Sequence, residues 1–183
     1  MNLSLRALAF APVSDHLALV ATPVATALLE MSSRETIGVA PIDPEVSDTA
    51  AFCERYGVAL GQSANCVIVE GRRADTVRYA ACVVPATARA DINRLVKKLL
   101  DVSKISFASR EDAVAKSAME FGAITAIGLP EDWPVFIDAA VARSPRVIIG
   151  SGLRRSKLSI PGAVLATFPG VQVVEGLGMD KVT

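Results

Sequence analysis

Histidine is all but missing from this chain: 183 residues carry one, His16. A Ser-His-Asp triad or a histidine-based metal site would have to recruit that imidazole from near the N-terminus, far along the chain from every other polar cluster. Cysteine is scarce as well. Cys53, Cys66 and Cys82 are widely spaced, flanked by apolar residues and form no C-x-x-C pair. They read as buried free thiols in a reducing cytosol, not as a metal or disulfide framework. Charge of one sign is absent too: Lys+Arg and Asp+Glu number 19 each, so no global field gathers nucleic acid and any RNA contact needs a local patch.

No long apolar run is present. The stretch LALVATPVATALLE at 17–30 is broken by Pro23 and falls short of the roughly 20 residues that span a bilayer. No basic n-region with an A-x-A site marks a signal peptide, so the expectation is a cytoplasmic protein without membrane contact. The common catalytic signatures are missing: G-x-S-x-G, G-x-x-x-x-G-K-[ST] and H-E-x-x-H do not occur. Glu131 and Asp132 follow a Leu-Pro turn and read as solvated charges. Any catalysis here would have to use mainly backbone groups and bound water.

What is present is a core. With 51% of its residues hydrophobic, only 5% aromatic and 21% charged, the chain is apolar enough to fold and not to remain disordered, and its length favours one domain with room for an appendage. Val24, Ala27, Leu28 and Met31 recur at helical spacing after Pro23, predicting an amphipathic helix. GVAPIDPEVSD reads as a linker or short strand, and a helix follows from about Glu45 to Tyr56, closed by Gly57. ANCVIVEG and VRYAACVVP are β-branched runs about a polar turn, a hairpin. Ile92, Leu95, Val96, Leu99 and Leu100 share a helix face, and Ser109 with Asp112 caps a helix running to about Met119. PVFID, PRVIIGSG, SKLSI and VQVVEG read as strands, with a short helix at PGAVLATF. Six or seven strands among four or five helices, without strict βαβ alternation, predict a mixed α/β or α+β domain with a curled sheet.

Between these elements lies EFGAITAIGLPEDWPVFID, too rich in glycine and proline for a buried strand and too poor in polar residues for an ordinary surface loop. Its glycines allow positive φ and let a ligand approach bare N–H groups, which would suit a developing oxyanion. A tight connection whose glycines serve packing alone fits the same spacing. A second cluster, IIGSGLRRSKLSIPG, places Gly150, Ser151 and Gly152 at a strand end, followed by Arg154, Arg155 and Lys157. Those three cations can hold a phosphodiester backbone or form an ordinary solvated turn.

In order and spacing, ANCVIV, ATARADINRLVKKLL, SREDAVAKSAMEFGAITAIGLP with PVFID, and VIIGSGLRRSKLSIPG resemble the YbaK/prolyl-tRNA synthetase editing-domain family, the INS-like aminoacyl-tRNA deacylases. The resemblance covers about residues 44–176. It implies a barrel-like mixed sheet of about six to seven strands surrounded by helices, at 41–178, behind an N-terminal extension at 1–40 with one amphipathic helix and before a tail at 179–183. It implies a free-standing deacylase that hydrolyses the ester of a mischarged aminoacyl-tRNA without metal or cofactor. Water would be activated partly by the substrate's own terminal ribose hydroxyl.

The family's G-x-x-x-P loop maps onto Gly122, Ala123, Ile124, Thr125 and Ala126, whose amides would hold the substrate carbonyl; Ala126 replaces the proline and Ala123 a common second glycine. Ser117 and Ala118 stand where a Thr-Gly pair is common, and Asn65 where many members carry a lysine. Without the proline the free loop is looser by about 0.4–1 kcal/mol. The resemblance further implies substrate contacts by Asn65, Asp138, Gly150, Ser151 and Gly152, and guidance of the acceptor stem by Arg154, Arg155 and Lys157. The implied partners are the acceptor end of aminoacyl-tRNA and a synthetase, but not DNA, with the chain a monomer or weak homodimer. A second reading stays open: a non-catalytic module that keeps the pocket and binds a small ligand, a tRNA end or a synthetase.

Overall fold

The structure is a computed structural model and describes residues 8–180. Its strands are β1 (Ala11–Pro12), β2 (Gly38–Pro41), β3 (Ala64–Arg73), β4 (Thr76–Pro85), β5 (Ala88–Ala90), β6 (Lys104–Phe107), β7 (Val135–Asp138), β8 (Val147–Gly150), β9 (Ser156–Ile160), β10 (Val171–Val174) and β11 (Gly178–Asp180). The α-helices are α1 (Thr22–Leu29), α2 (Thr49–Tyr56), α3 (Lys97–Leu99), α4 (Arg110–Ser117), α5 (Ala139–Ala142) and α6 (Gly162–Leu165).

The predicted hairpin forms over its full length. β3 and β4 pair antiparallel from Ala64 opposite Pro85 to Arg73 opposite Thr76, and Ala74, at φ +50°, turns the chain between them. β6 adds antiparallel to β3, while β7 adds parallel to β4 and β10 parallel to β7, giving a mixed sheet ordered β10-β7-β4-β3-β6. A second sheet runs β1-β2-β9-β8 and a third pairs β11 with β5. None of the three closes on itself. The curled sheet expected from the sequence is thus divided, and a lone parallel bridge between Ser63 and Ile148 ties the start of β3 to β8.

Alternation along the strands explains why they read as nearly continuous apolar runs. Ile68, Ala81, Val83, Val135 and Ile137 enter one core; Val69, Ala80, Cys82, Val84 and Phe136 enter another on the opposite face. Ile92, Val96 and Leu100 cover the second face. The helix expected there is a π-helical turn, Ile92–Val96, running into α3, with the Asp91 carboxylate capping Arg94 N at 3.2 Å. Leu99 stays exposed, because the chain turns at Asp101, φ +53°, to enter β6. The expected helix from Glu45 is a 3-10 turn, Pro44–Val46, followed by α2, which Asp48 caps through Ala50 N and Ala51 N.

The first strand and helix are built into the main core. Val13, Val20, Val24, Leu28, Ile37 and Val39 pack in the same cluster as Ile137 and Leu158, and β2 pairs with β9. The tail expected at 179–183 begins as strand, Met179 pairing with Arg89 and Asp180 with Ala88; 181–183 lie outside the described residues. Among the described residues no helix is long and apolar enough to cross a membrane.

The long loop between α4 and β7 is pinned at two points. Trp133 is buried and stacks on Tyr79 at 5.0 Å between centroids. Gly128, at φ +76°, meets the start of α1 so closely that a Cβ there would lie 2.4 Å from the Pro23 carbonyl oxygen. Gly128→Ala combines left-handed strain with a backbone collision and is expected to cost about 2–4 kcal/mol in urea unfolding. Gly61→Ala, where nothing lies within 4 Å, is expected to stay within about 0.5 kcal/mol of the parent.

Candidate functional site

Helix α4 delivers the loop. Ser109 caps its start, Oγ accepting from Asp112 N at 3.0 Å, and Ala118 at φ +53° ends it. Ser117 Oγ donates to Ala113 O at 2.6 Å and accepts from Met119 N at 3.3 Å, folding the chain back at once. Gly122 then adopts φ +85°.

From here the loop is laced to the second glycine segment. Gly152 N donates to Ala123 O at 2.8 Å, and Glu120 N to Gly152 O at 2.9 Å. Gly150 comes closer still: a Cβ on it would lie 2.5 Å from Ala123 O and 3.0 Å from Ile124 O. Ala123 N is used internally, on Glu120 O, and Thr125 N points to Met119 Sδ at 3.5 Å. The N–H groups of Gly122, Ile124 and Ala126 donate to no acceptor among the described residues. Thr125 Oγ1 is also buried without a partner.

In front of the loop opens a cavity of about 700 Å³. Gly122 and Ile124 form one wall, with Gly150 beside them; Asn65 and Cys66 on β3 form another. Asn65 Oδ1 accepts from Thr49 Oγ1 at 2.7 Å. The Cys66 thiol is pushed well above its usual range by burial, with Cys82 adding to the effect, and burial pushes Cys82 up to about 12. Neither supplies a thiolate at neutral pH.

The three cations after the glycines do not share one surface patch. Lys157 is 5% exposed and reaches the cavity from β9, its Nζ donating to Ser47 O at 2.8 Å and lying 5.3 Å from the Phe52 ring centroid. Burial lowers its pKa, while Asp48 and Cys53 act in the opposite direction. It forms no ion pair among the described residues. Arg154 also lines the cavity, with Nε on Ser47 Oγ at 3.0 Å and Nη2 on Pro44 O at 2.9 Å. Arg155 is exposed and bonds Ala18 O at 2.8 Å, away from the cavity lining. The chain geometry separates the cations: Arg154 and Arg155 lie in the turn before β9, while Lys157 is the second residue of β9 and is buried.

Ala123, Thr125 and Ala126 of the loop stand outside the lining, as do Ser151, Gly152 and Asp138. Ser151 is fully buried, its Oγ shared with Ser156 Oγ at 2.7 Å and Leu153 O at 2.9 Å. Gly152, at φ +82°, is packed from behind, where a Cβ would lie 2.4 Å from that of Ala21. Asp138 caps α5 through Ala140 N and holds Gly178 N, both at 2.7 Å. The sequence reading passed over Ser47, Phe107, Arg110 and Phe121, all of which line the cavity. Among the described residues no group of three or more His, Cys, Asp or Glu could hold a metal ion.

Free main-chain donors, a buried ammonium and no activated nucleophile suit binding of a carbonyl or an anion. A model of the aminoacyl-tRNA editing domain matches residues 43–168, which include the loop, the second glycine segment and every residue of the cavity wall. The chain belongs to the aminoacyl-tRNA editing domain family. Its editing-domain fold recurs in solved structures of low identity. One is a candidate trans-editing enzyme for prolyl-tRNA synthetase, with TM-score 0.70 and 17% identity over 84% of this chain and 93% of that one. A scaffold from computational epitope grafting gives TM-score 0.70 and 18% identity, over 85% and 95% of the respective chains. A hypothetical protein gives 0.69 and 19%, over 79% and 92%. No curated protein matches the chain. The editing domain as the family defines it starts at residue 43, so the segment that braces Gly128 and Gly152 precedes it.

Lys157 makes the stability of this editing domain depend on pH. Its pKa is lowered in the folded state from 10.5, so between the lowered value and 10.5 the unfolded chain binds more protons and stability rises with pH. In urea unfolding the parent is expected to gain on Lys157→Met as pH is raised toward 10.5. Parallel pH profiles for the two proteins would contradict a buried, desolvated ammonium.

Proposed function

We propose that this editing domain is a free-standing, cytoplasmic deacylase that hydrolyses the ester of a mischarged aminoacyl-tRNA in trans. The observation that carries this reading is the pair of N–H groups on Gly122 and Ile124, left without internal acceptors in a loop that Gly150 and Gly152 hold at the cavity wall. These donors bind the ester carbonyl and gain strength as its oxygen becomes an oxyanion, where one donor is worth on the order of 10²–10³ in rate. Water adds to the carbonyl carbon and gives up a proton, assisted by the terminal ribose hydroxyl of the substrate. The bond from carbon to the esterified ribose oxygen then breaks, that oxygen is protonated, and free amino acid and tRNA leave. No protein nucleophile enters the sequence of steps, which agrees with the neutral thiol of Cys66.

Lys157 supplies, from β9, the positive charge that Asn65 does not, and one ammonium N–H is already on Ser47 O, leaving others for an anionic part of the substrate. Arg154 at the rim and the exposed Arg155 guide the acceptor stem. Ala126 favours the competing reading, a binding module without turnover, because it stands where the family has proline. Its free N–H means that Ala126→Pro deletes no internal hydrogen bond.

Incubation with a panel of mischarged tRNAs tests the proposal. At least one ester is expected to be cleaved above the no-enzyme rate, and Gly150→Ala, which drives a Cβ into the loop carbonyls, is expected to lower kcat about 10²-fold. No turnover of any ester would sink the proposal. Turnover only after Asn65→Lys and Ala126→Pro are combined would establish the binding module.

A further inference from the structure

Phenylalanine occurs six times in the chain, and two of the six are left largely in water: Phe107 is 60% exposed and Phe121 50%. Phe52, Phe136 and Phe168 are buried in cores, as the residue type ordinarily is. The two exposed rings are not scattered. Both line the cavity in front of the loop, Phe107 from the end of β6 and Phe121 from the residue just before Gly122. Arg110, at the start of α4, lies with its guanidinium carbon 4.8 Å from the Phe121 ring centroid and makes no ion pair among the described residues.

We infer that Phe107, Phe121 and Arg110 form a stacking platform for the unpaired nucleobase at the 3′ end of the tRNA; this rests on the reading of the cavity as the site of ester hydrolysis. Flat apolar rings beside a stacked guanidinium match a nucleobase, whose faces are apolar and whose phosphates are anionic. The charges around the rings agree. Arg110, Arg154 and Lys157 share the cavity with two exposed acids, Glu45 and Asp48, the Asp48 carboxylate also accepting from Ala50 N and Ala51 N at the cap of α2, so cations outnumber acids there. An apolar peptide would find two separate rings among cations. A single-stranded nucleotide finds a π-surface for the base, with positive charge for its phosphates. Because Phe121 is bonded to Gly122, a base seated on its ring brings the ribose to the mouth of the loop that holds the ester.

The experiment combines steady-state deacylation with a binding signal that needs no turnover: uncharged tRNA carrying 2-aminopurine in place of its 3′-terminal adenine. Phe107→Leu and Phe121→Leu keep apolar bulk and remove the π-face. Each is expected to raise KM about tenfold and leave kcat within about twofold, and tyrosine at either position is expected to restore KM. The parent is expected to quench the 2-aminopurine, and the leucine variants to leave it bright at saturating protein. Unchanged KM together with equal quenching by parent and variants would overturn the platform and leave the deacylase standing. Were the parent to cleave no ester, the quenching would still decide: lost in the leucine variants, it supports the platform; absent in the parent, it overturns it.

Discussion

The close approach of β8 to the loop after α4 makes the cavity what it is. Gly150 sits against the carbonyl oxygens of Ala123 and Ile124 with no room for a methyl group, and Gly152 exchanges hydrogen bonds with Ala123 and Glu120. Two segments that lie some 25 to 30 residues apart in sequence thereby act as one rigid surface. The Ala123 carbonyl is consumed by this contact, and the amides of Gly122 and Ile124 are left unspent. A loop of small apolar residues is what such a surface requires, since a bulky or charged side chain would stand between the amides and anything they bind.

Electrostatics in the cavity is handled sparingly. One ammonium is taken almost wholly out of water, with a single backbone acceptor and an aromatic face as compensation. A buried charge costs free energy unless something neutralises it, and Asp48 does so only in part, so Lys157 favours an anionic or strongly dipolar guest. The thiols nearby are held neutral by the same burial. The cavity therefore offers donors and positive charge, and of its two flanking acids, Glu45 and Asp48, the second also serves as a helix cap.

Much of this was legible in the sequence where local chemistry decides. The hairpin β3–β4, the capped helix α4 and the glycine loop follow from alternation, an N-cap serine and positive-φ residues. What escaped was set by long-range packing. Strand β6 is four residues at a sheet edge with mixed polarity, and β5 and β11 are too short to carry a pattern. The split into three sheets depends on which edges meet, which spacing does not encode. At the site, RRSK reads as a patch in one dimension, but the two arginines lie in a turn and Lys157 is buried within β9. Ser151 and Asp138 looked functional by motif and are occupied with holding serine and helix-cap geometry. Phe107 and Phe121 carried no signal, because only the folded surface shows that they are left exposed.

The segment ahead of residue 43 sits behind the loop, with Pro23 against Gly128 and Ala21 against Gly152. The family's own boundary and the boundary of the mechanical unit are therefore different lines. A protein trimmed to the family match would keep every residue of the loop and both glycines, yet lose the backing that the loop leans on. In this chain the part ahead of the family match is an internal buttress, and changes in it would be felt as changes in loop geometry without any alteration of the cavity lining itself.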